Sequence, residues 1–468
     1  MRNVLQRVNR LPPEIIARIA RCSREHKAFD RKPIIPLTHV CRYWRESIIS
    51  APEIWTSVTD YPMRLWALSL ERSKAAPVRL ELNMWGISSR PGFCDLTGPN
   101  IQNTETLQFQ ELRGIEAFRQ ILPNFPQSMP NLRSLELWHE NIDQDVGDDD
   151  GRPGWDLSTD PFGSFPKTLR SLSLHDIPLY PSFLGLRTLT ELYLNYGKIH
   201  TPLDTILDFV EENRSLERVD LTVRFSPGRV SRLRGAIVNR LQHLSITSWD
   251  METARTVVSS IPLRRGAHLG IVLMHGNEQG GLGDILSGIS MTHLPNLPSP
   301  TVAKYQTLSR AIRLTGPNGS FSYSRWRSPA APFTEFPVLP LTDVREFHLV
   351  NSKPSVVFHP SSLPALEVIT VQSKTDVSHL LSALLANPSL PPSLKTLGFL
   401  DCDLSEDFMK ELAQFASDRK KTASAWLRRV LIVHPDGKFP SAASVRALRK
   451  NVAIVDVRMD DGLPMDLL

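Results

Sequence analysis

Residues 131–138 read NLRSLELW: a leucine, two residues, a second leucine, one residue, and a third leucine. In an extended strand the alternation Leu135-Glu136-Leu137 sends the leucines to one face and the glutamate to the other. The spacing returns at Leu169, Leu172 and Leu174; at Leu189, Leu192 and Leu194; at Leu216, Val219 and Leu221; and at Leu241, Leu244 and Ile246. After a stretch from about 262 to 340 with no clear phase, it resumes at Val344, Phe347 and Leu349; Leu366, Ile369 and Val371; Leu394, Leu397 and Phe399; and Leu427, Val430 and Ile432. A single strand cannot bury its apolar face alone, so copies of this kind stack to share one core.

Most steps between the first five copies fall in or near the range of about 20–29 residues of a leucine-rich repeat, and the longest holds the acidic insertion DQDVGDDDGRPG. Helical periodicity appears between strands in PLDTILDFVEEN (202–213) and SEDFMKELAQFASDRKK (405–421), with Ser405 and Asp407 well placed for a helix start. The expected fold class is therefore α/β: an irregular leucine-rich-repeat solenoid, a horseshoe, over 59–468. The asparagine or cysteine usual at the ninth position is missing, and Glu140, Ile177, Gly197, Arg224 and Trp249 stand there. EIWTSVTD, MRLWALSLERSKAAP and VRLELNM supply a first strand, a helix and a second strand.

In such an array the residues flanking the last apolar of each LxL step face the concave side. These are Glu136 and Trp138, Ser173 and His175, Tyr193 and Asn195, Asp220 and Thr222, and Ser245 and Thr247. Trp138, His175 and Tyr193 form a candidate recognition stripe, because aromatic side chains bring large contact area at low entropic cost. The bland alternative is a solvated face with incidental aromatics.

The composition is that of a folded protein, 41% hydrophobic and 22% charged. A formal charge of +5, with basic and acidic residues interspersed, does not point to nucleic acid. The arginine- and aromatic-rich SYSRWRSP (322–329) is the one local exception and is read as a loop, with an RNA-binding solenoid as a minor alternative. Cys22, Cys41, Cys94 and Cys402 lie far apart with no CxxC, which points to a reducing compartment. No signal peptide or apolar run of about 18 residues is present, so a cytoplasmic or nuclear location is expected.

Nothing in the sequence assembles an active site. HGNEQGGLGDILSG lacks the spacing of a dinucleotide or phosphate loop. The acidic insertion lacks the closing glutamate of a calcium loop. The 13 histidines include no HExxH, and there is no GxSxG elbow. No enzyme activity, cofactor or metal is expected.

The N-terminal residues 1–58 carry a different pattern. LPPEIIARIAR begins with Leu11, Pro12 and Pro13, where missing N–H groups cost nothing, and continues with Glu14 at the favourable dipole end. Ile15, Ile16 and Ile19 give an apolar face, CSREHKAFDRKP reads as a loop, and Leu37, Val40, Cys41, Trp44 and Ile48 form a stripe along one second helix. Two helices this short need a further surface to pack on.

LPPEII, VCRYWRE and SAPEIWTSV, in that order, resemble the F-box, in the version found in large families of fungal F-box proteins. The resemblance covers Leu11 to Val58 and departs from compact F-boxes in its longer, charged loop. It implies that Leu11, Pro12, Ile15, Ile19, Leu37, Val40, Cys41 and Trp44 form the F-box core and the face that docks to a Skp-type adaptor. Through that adaptor the chain would reach a cullin. The function so implied is substrate recognition within an SCF-type ubiquitin ligase, with a protein substrate on the solenoid and no membrane association. The alternative is a non-ligase repeat scaffold whose N-terminal helices cap the array; a cap buries the Leu11, Pro12 and Ile15 region, whereas a docking module leaves part of it open.

Overall fold

The computed structural model describes residues 11–25, 35–59, 63–83, 102–110, 129–139, 166–196, 201–223, 240–261, 263–274, 300, 302–306, 311–317, 319–325, 341–350, 363–372, 378–387, 391–402, 404–422, 426–434 and 440–459. It is a mixed α/β structure in two compact units, Met1–Thr201 and Pro202–Leu468.

The first unit opens with helices α1 (Pro13–Glu25), α2 (Ile35–Thr38) and α3 (Arg42–Ser50), then a 3-10 turn at Pro52–Trp55. The Pro12 carbonyl accepts the Ile15 and Ile16 N–H groups at 3.0 and 3.2 Å, so α1 starts where the prolines require. Its buried face is Ile16, Ala17 and Ala20, whereas Ile15 and Ile19 point outward. The expected apolar stripe is thus split. The expected loop also shrinks at its N-terminal side, because Cys22 belongs to the last turns of α1.

The second helix is broken too. Cys41 is extended, with φ −161° and ψ 174°, so Leu37 and Val40 precede the helix that carries Trp44 and Ile48. Side chains hold the break: the Arg45 guanidinium donates to the Thr38 carbonyl at 3.0 Å, and the Tyr43 hydroxyl donates to the Leu11 carbonyl at 2.8 Å. Ile16, Ala17, Ala20, Trp44, Ile48, Ile54 and Trp55 close one small core. The Trp55 indole N–H satisfies the Ile48 carbonyl at 2.9 Å, which ties the 3-10 turn to the end of α3.

Strands β1 (Ser57–Thr59), β2 (Val78–Asn83), β3 (Thr104–Gln110), β4 (Ser134–Trp138), β5 (Ser171–His175) and β6 (Glu191–Tyr196) then pair in order, all parallel. Helix α4 (Met63–Ser73) joins β1 to β2, and the short α5 (Pro181–Leu184) precedes β6. The repeat leucines stack in register: Leu107 lies opposite Leu135, Leu135 opposite Leu172, and Leu172 opposite Leu192. All four are buried, as alternation requires. Strand β3 was not anticipated from the sequence. At the ninth position of its repeat, Ile177 is fully buried and fills with hydrocarbon the place where a ladder amide is usual.

The second unit begins with α6 (Leu203–Glu212), β7 (Arg218–Val223), β8 (His243–Ser248), α7 (Met251–Ser260) and β9 (His268–Leu273). Asp250 caps α7 by accepting the Thr253 N–H at 2.6 Å. There follow β10 (Val302–Gln306), β11 (Ala311–Gly316), β12 (Gly319–Arg325), β13 (Glu346–Val350), β14 (Val368–Gln372), α8 (Ser378–Ala386), β15 (Thr396–Leu400), α9 (Glu406–Thr422), β16 (Arg429–His434), α10 (Ala442–Arg449) and β17 (Ile454–Met459). Ser405 starts α9 as the sequence suggests, its hydroxyl accepting the Phe408 N–H at 3.1 Å.

The poorly phased middle has a topological cause. Strand β9 pairs in parallel with β12, β12 and β10 flank β11 antiparallel, and β10 pairs in parallel with β13. Three strands therefore enter in reverse spatial order through hairpins, which need no repeat spacing. From β13 to β17 the parallel order returns.

One residue corrects the expectation of a missing ladder. Cys402 is the ninth position counted from Leu394, and it is buried. Its thiol lies 3.4 Å from the carbonyl of Val371, on the preceding strand, and 3.3 Å from that of Leu400. Nearby, the buried Arg419 of α9 donates to the Pro391 and Leu394 carbonyls at 2.7 and 3.0 Å, fastening the helix to the turn that leads into β15.

Candidate functional site

The residues assigned to adaptor docking separate into two groups. Trp44 is core, and Leu11, Leu37 and Cys41 are half-buried against it. Pro12 is exposed, and Ile15, Ile19 and Val40 are 41%, 37% and 48% exposed. A module with its own closed core thus leaves three large apolar side chains and a proline in water.

On the sheet of the first unit the structure brings together Glu136, Trp138, Ser173, His175, Tyr193 and Asn195, as strand parity predicts. Trp138 pairs with His175 and His175 with Asn195 across the parallel ladder. The Trp138 and His175 rings stack with centroids 3.8 Å apart. The Trp138 indole N–H donates to Glu136 Oε1 at 2.6 Å. Asn195 Nδ2 lies 3.4 Å from His175 Nδ1 and can only donate, which leaves the imidazole proton on Nε2 for the Ser173 hydroxyl oxygen at 2.9 Å. Burial lowers the His175 pKa from 6.5 to about 4, so at neutral pH its contact with Glu136 at 4.0 Å is not an ion pair. Trp138, still 42% exposed, is held both by its stack and by its N–H. A large aromatic presented in one orientation loses little entropy when a partner covers it.

Asp220 and Thr222 belong to the second unit, on β7, with Ser245 and Thr247 beside them on β8. Asp220 accepts from the Arg218 guanidinium at 3.0 Å and lies 3.2 Å from His243 Nε2. Burial pushes its carboxyl up, but His243 and Arg218 outweigh that and leave it below the usual range. His243 stacks on His268 of β9, with centroids 4.6 Å apart. Burial, with the charges of His243 and Arg313, lowers His268 from 6.5 to about 4. His268 was missed because β9 lies in the stretch where no repeat phase was read, and Arg218 and His243 because only the flanks of the last apolar of each step were considered. The residue before the middle apolar shares their parity and so their face.

Among the described residues no group of three or more His, Cys, Asp or Glu side chains is placed to hold a metal ion. Among them, too, no helix is long and apolar enough to cross a membrane, and Cys22, Cys41 and Cys402 are not joined in disulfides. The acidic insertion and HGNEQGGLGDILSG lie outside the described residues, and of SYSRWRSP the first four residues belong to β12.

These features define a mixed α/β protein with a parallel sheet of leucine-rich-repeat character. No protein-family model and no curated protein matches the chain. Among solved structures it is similar to the leucine-rich repeat-containing protein LegL7 from Legionella pneumophila, at 12% identity, over 84% of this chain and 88% of that one, with a TM-score of 0.22.

Proposed function

We propose that this chain is the substrate-recognition subunit of an SCF-type ubiquitin ligase, a non-catalytic member of the complex. The N-terminal helices dock to a Skp-type adaptor, and the polar face of the repeat sheet receives a protein substrate. Ubiquitin transfer is then promoted by proximity, with no catalytic group supplied by this chain. The observation that carries the reading is the exposed set Pro12, Ile15, Ile19 and Val40 on a module whose core is already complete without them. Helices serving only to cap a repeat array have reason to bury such side chains, since each large one gains roughly 1.5–3 kcal/mol on leaving water.

Co-expression of the full chain with the adaptor, followed by co-purification, tests this. The native chain is expected to retain the adaptor, and Ile15→Glu with Ile19→Glu to lose it while keeping its circular dichroism and melting temperature. If the well-folded native chain retains no adaptor, the second reading, a repeat scaffold with capping helices, takes its place.

A further inference from the structure

The polar face of β8, β9 and β12 contains a notch that the reading above does not use. Gly270 lies in the middle of β9, opposite Ser245 of β8 on one side and Ser322 of β12 on the other. At the point where a Cβ on Gly270 would sit, Ser322 Oγ is 3.2 Å away, His268 Nε2 3.3 Å and Ser245 Oγ 3.5 Å. Three polar atoms from three adjacent strands therefore converge on one position that the chain leaves unfilled.

The available protons favour an acceptor at that point. Both serine hydroxyls can rotate to donate. Ser245 has no side-chain hydrogen bond among the described residues. His268 Nδ1 lies 2.6 Å from the Ser320 hydroxyl; when Ser320 donates to it, the imidazole proton is on Nε2, which also lies 3.4 Å from Ser322 Oγ, so that Nε2 can donate to Ser322 while the Ser322 hydroxyl proton turns to the notch. Arg313 stands directly across from Ser322 on β11, exposed and without an ion pair among the described residues. Its charge is felt at His268. The neighbouring Asp220 is already engaged by Arg218 and His243. A cation would be repelled by Arg313, and an apolar group would leave the Ser245 hydroxyl unpaired.

We propose that Ser245, His268, Ser322 and Arg313, arranged around Gly270, form a binding site for an oxyanion, a phosphate-type or carboxylate group, one of whose oxygens takes the place of the missing Cβ. Hydrogen bonds to a charged acceptor are the stronger kind, and the guanidinium supplies the compensating charge. The site stands on this face alone and does not depend on adaptor docking.

Calorimetric titration of the full chain at pH 7 and constant ionic strength, with inorganic phosphate and separately with acetate, tests it. At least one probe is expected to bind saturably, and the affinity to fall by about tenfold or more in Gly270→Ala, which fills the notch, and in Arg313→Gln. Phosphate without acetate assigns a tetrahedral group, and acetate without phosphate a carboxylate. Arg313→Gln is a surface change and keeps the test decisive if Gly270→Ala does not fold. Absence of saturable binding of either probe to the folded native chain, or unchanged affinity in Arg313→Gln, overturns the proposal.

Discussion

Trp138 and His175, one repeat apart in sequence, lie face to face with their ring centroids 3.8 Å apart and their planes 21° from parallel. Because burial keeps the imidazole neutral, the folded state holds fewer protons at this site than the unfolded chain between the folded value of about 4 and the unfolded 6.5. Stability from this group is complete above pH 6.5 and is lost as pH falls toward about 4. Urea titrations at pH 7.5 and pH 5 are expected to show the native chain losing more stability on acidification than His175→Asn. Equal losses would remove the assigned role of burial at this histidine.

Arg419 makes a second prediction. Replacing it by Met keeps much of the volume but withdraws the donors that reach Pro391 and Leu394. A buried carbonyl left unpaired costs about 1–3 kcal/mol, and a loss of unfolding free energy of that order, read as a lower denaturation midpoint, is expected. Arg419→Lys should recover only part, since a compact ammonium cannot reproduce the planar fork. A midpoint unchanged in Arg419→Met would show the pin to be idle.

The third concerns thiol chemistry. Cys22 is exposed and Cys402 is buried, its sulfur against two carbonyls. A thiol reagent on the native chain should label Cys22 rapidly and reach Cys402 only in denaturant, as read by peptide mass mapping. Labelling of Cys402 at the rate of Cys22 under native conditions would contradict its place in the repeat core.

Much of the sheet was legible in the sequence because parity is local: LxxLxL fixes which side chains go inward, and Leu135, Leu172 and Leu192 stack where that pattern puts them. The same parity placed Glu136, Trp138, Ser173, His175, Tyr193 and Asn195 on one face. What escaped is set by long-range pairing. Strand β3 has only Leu107 and Phe109 to mark it, and the neighbours of β9 cannot be read locally when its partner Phe321 lies so far along the chain from Leu269. In the helical module, spacing put Ile15 with Ile16 and Ile19. Only the fold shows that Ile16 packs inward with Ala17 and Ala20 while the other two isoleucines do not. The break at Cys41 likewise depends on contacts made by Arg45 and Tyr43.

Strands β10 to β12 enter the sheet as a cassette that conserves direction. Their number is odd, so the strand offered to β9 and the strand offered to β13 both run the same way as their hosts. Removing the cassette would bring together two edges of matching polarity, with Leu269 and Phe347 already on the inward side of each. A ladder built this way can gain or lose a three-strand block without reversing anything downstream, and the apolar register of the parallel strands on either side stays intact.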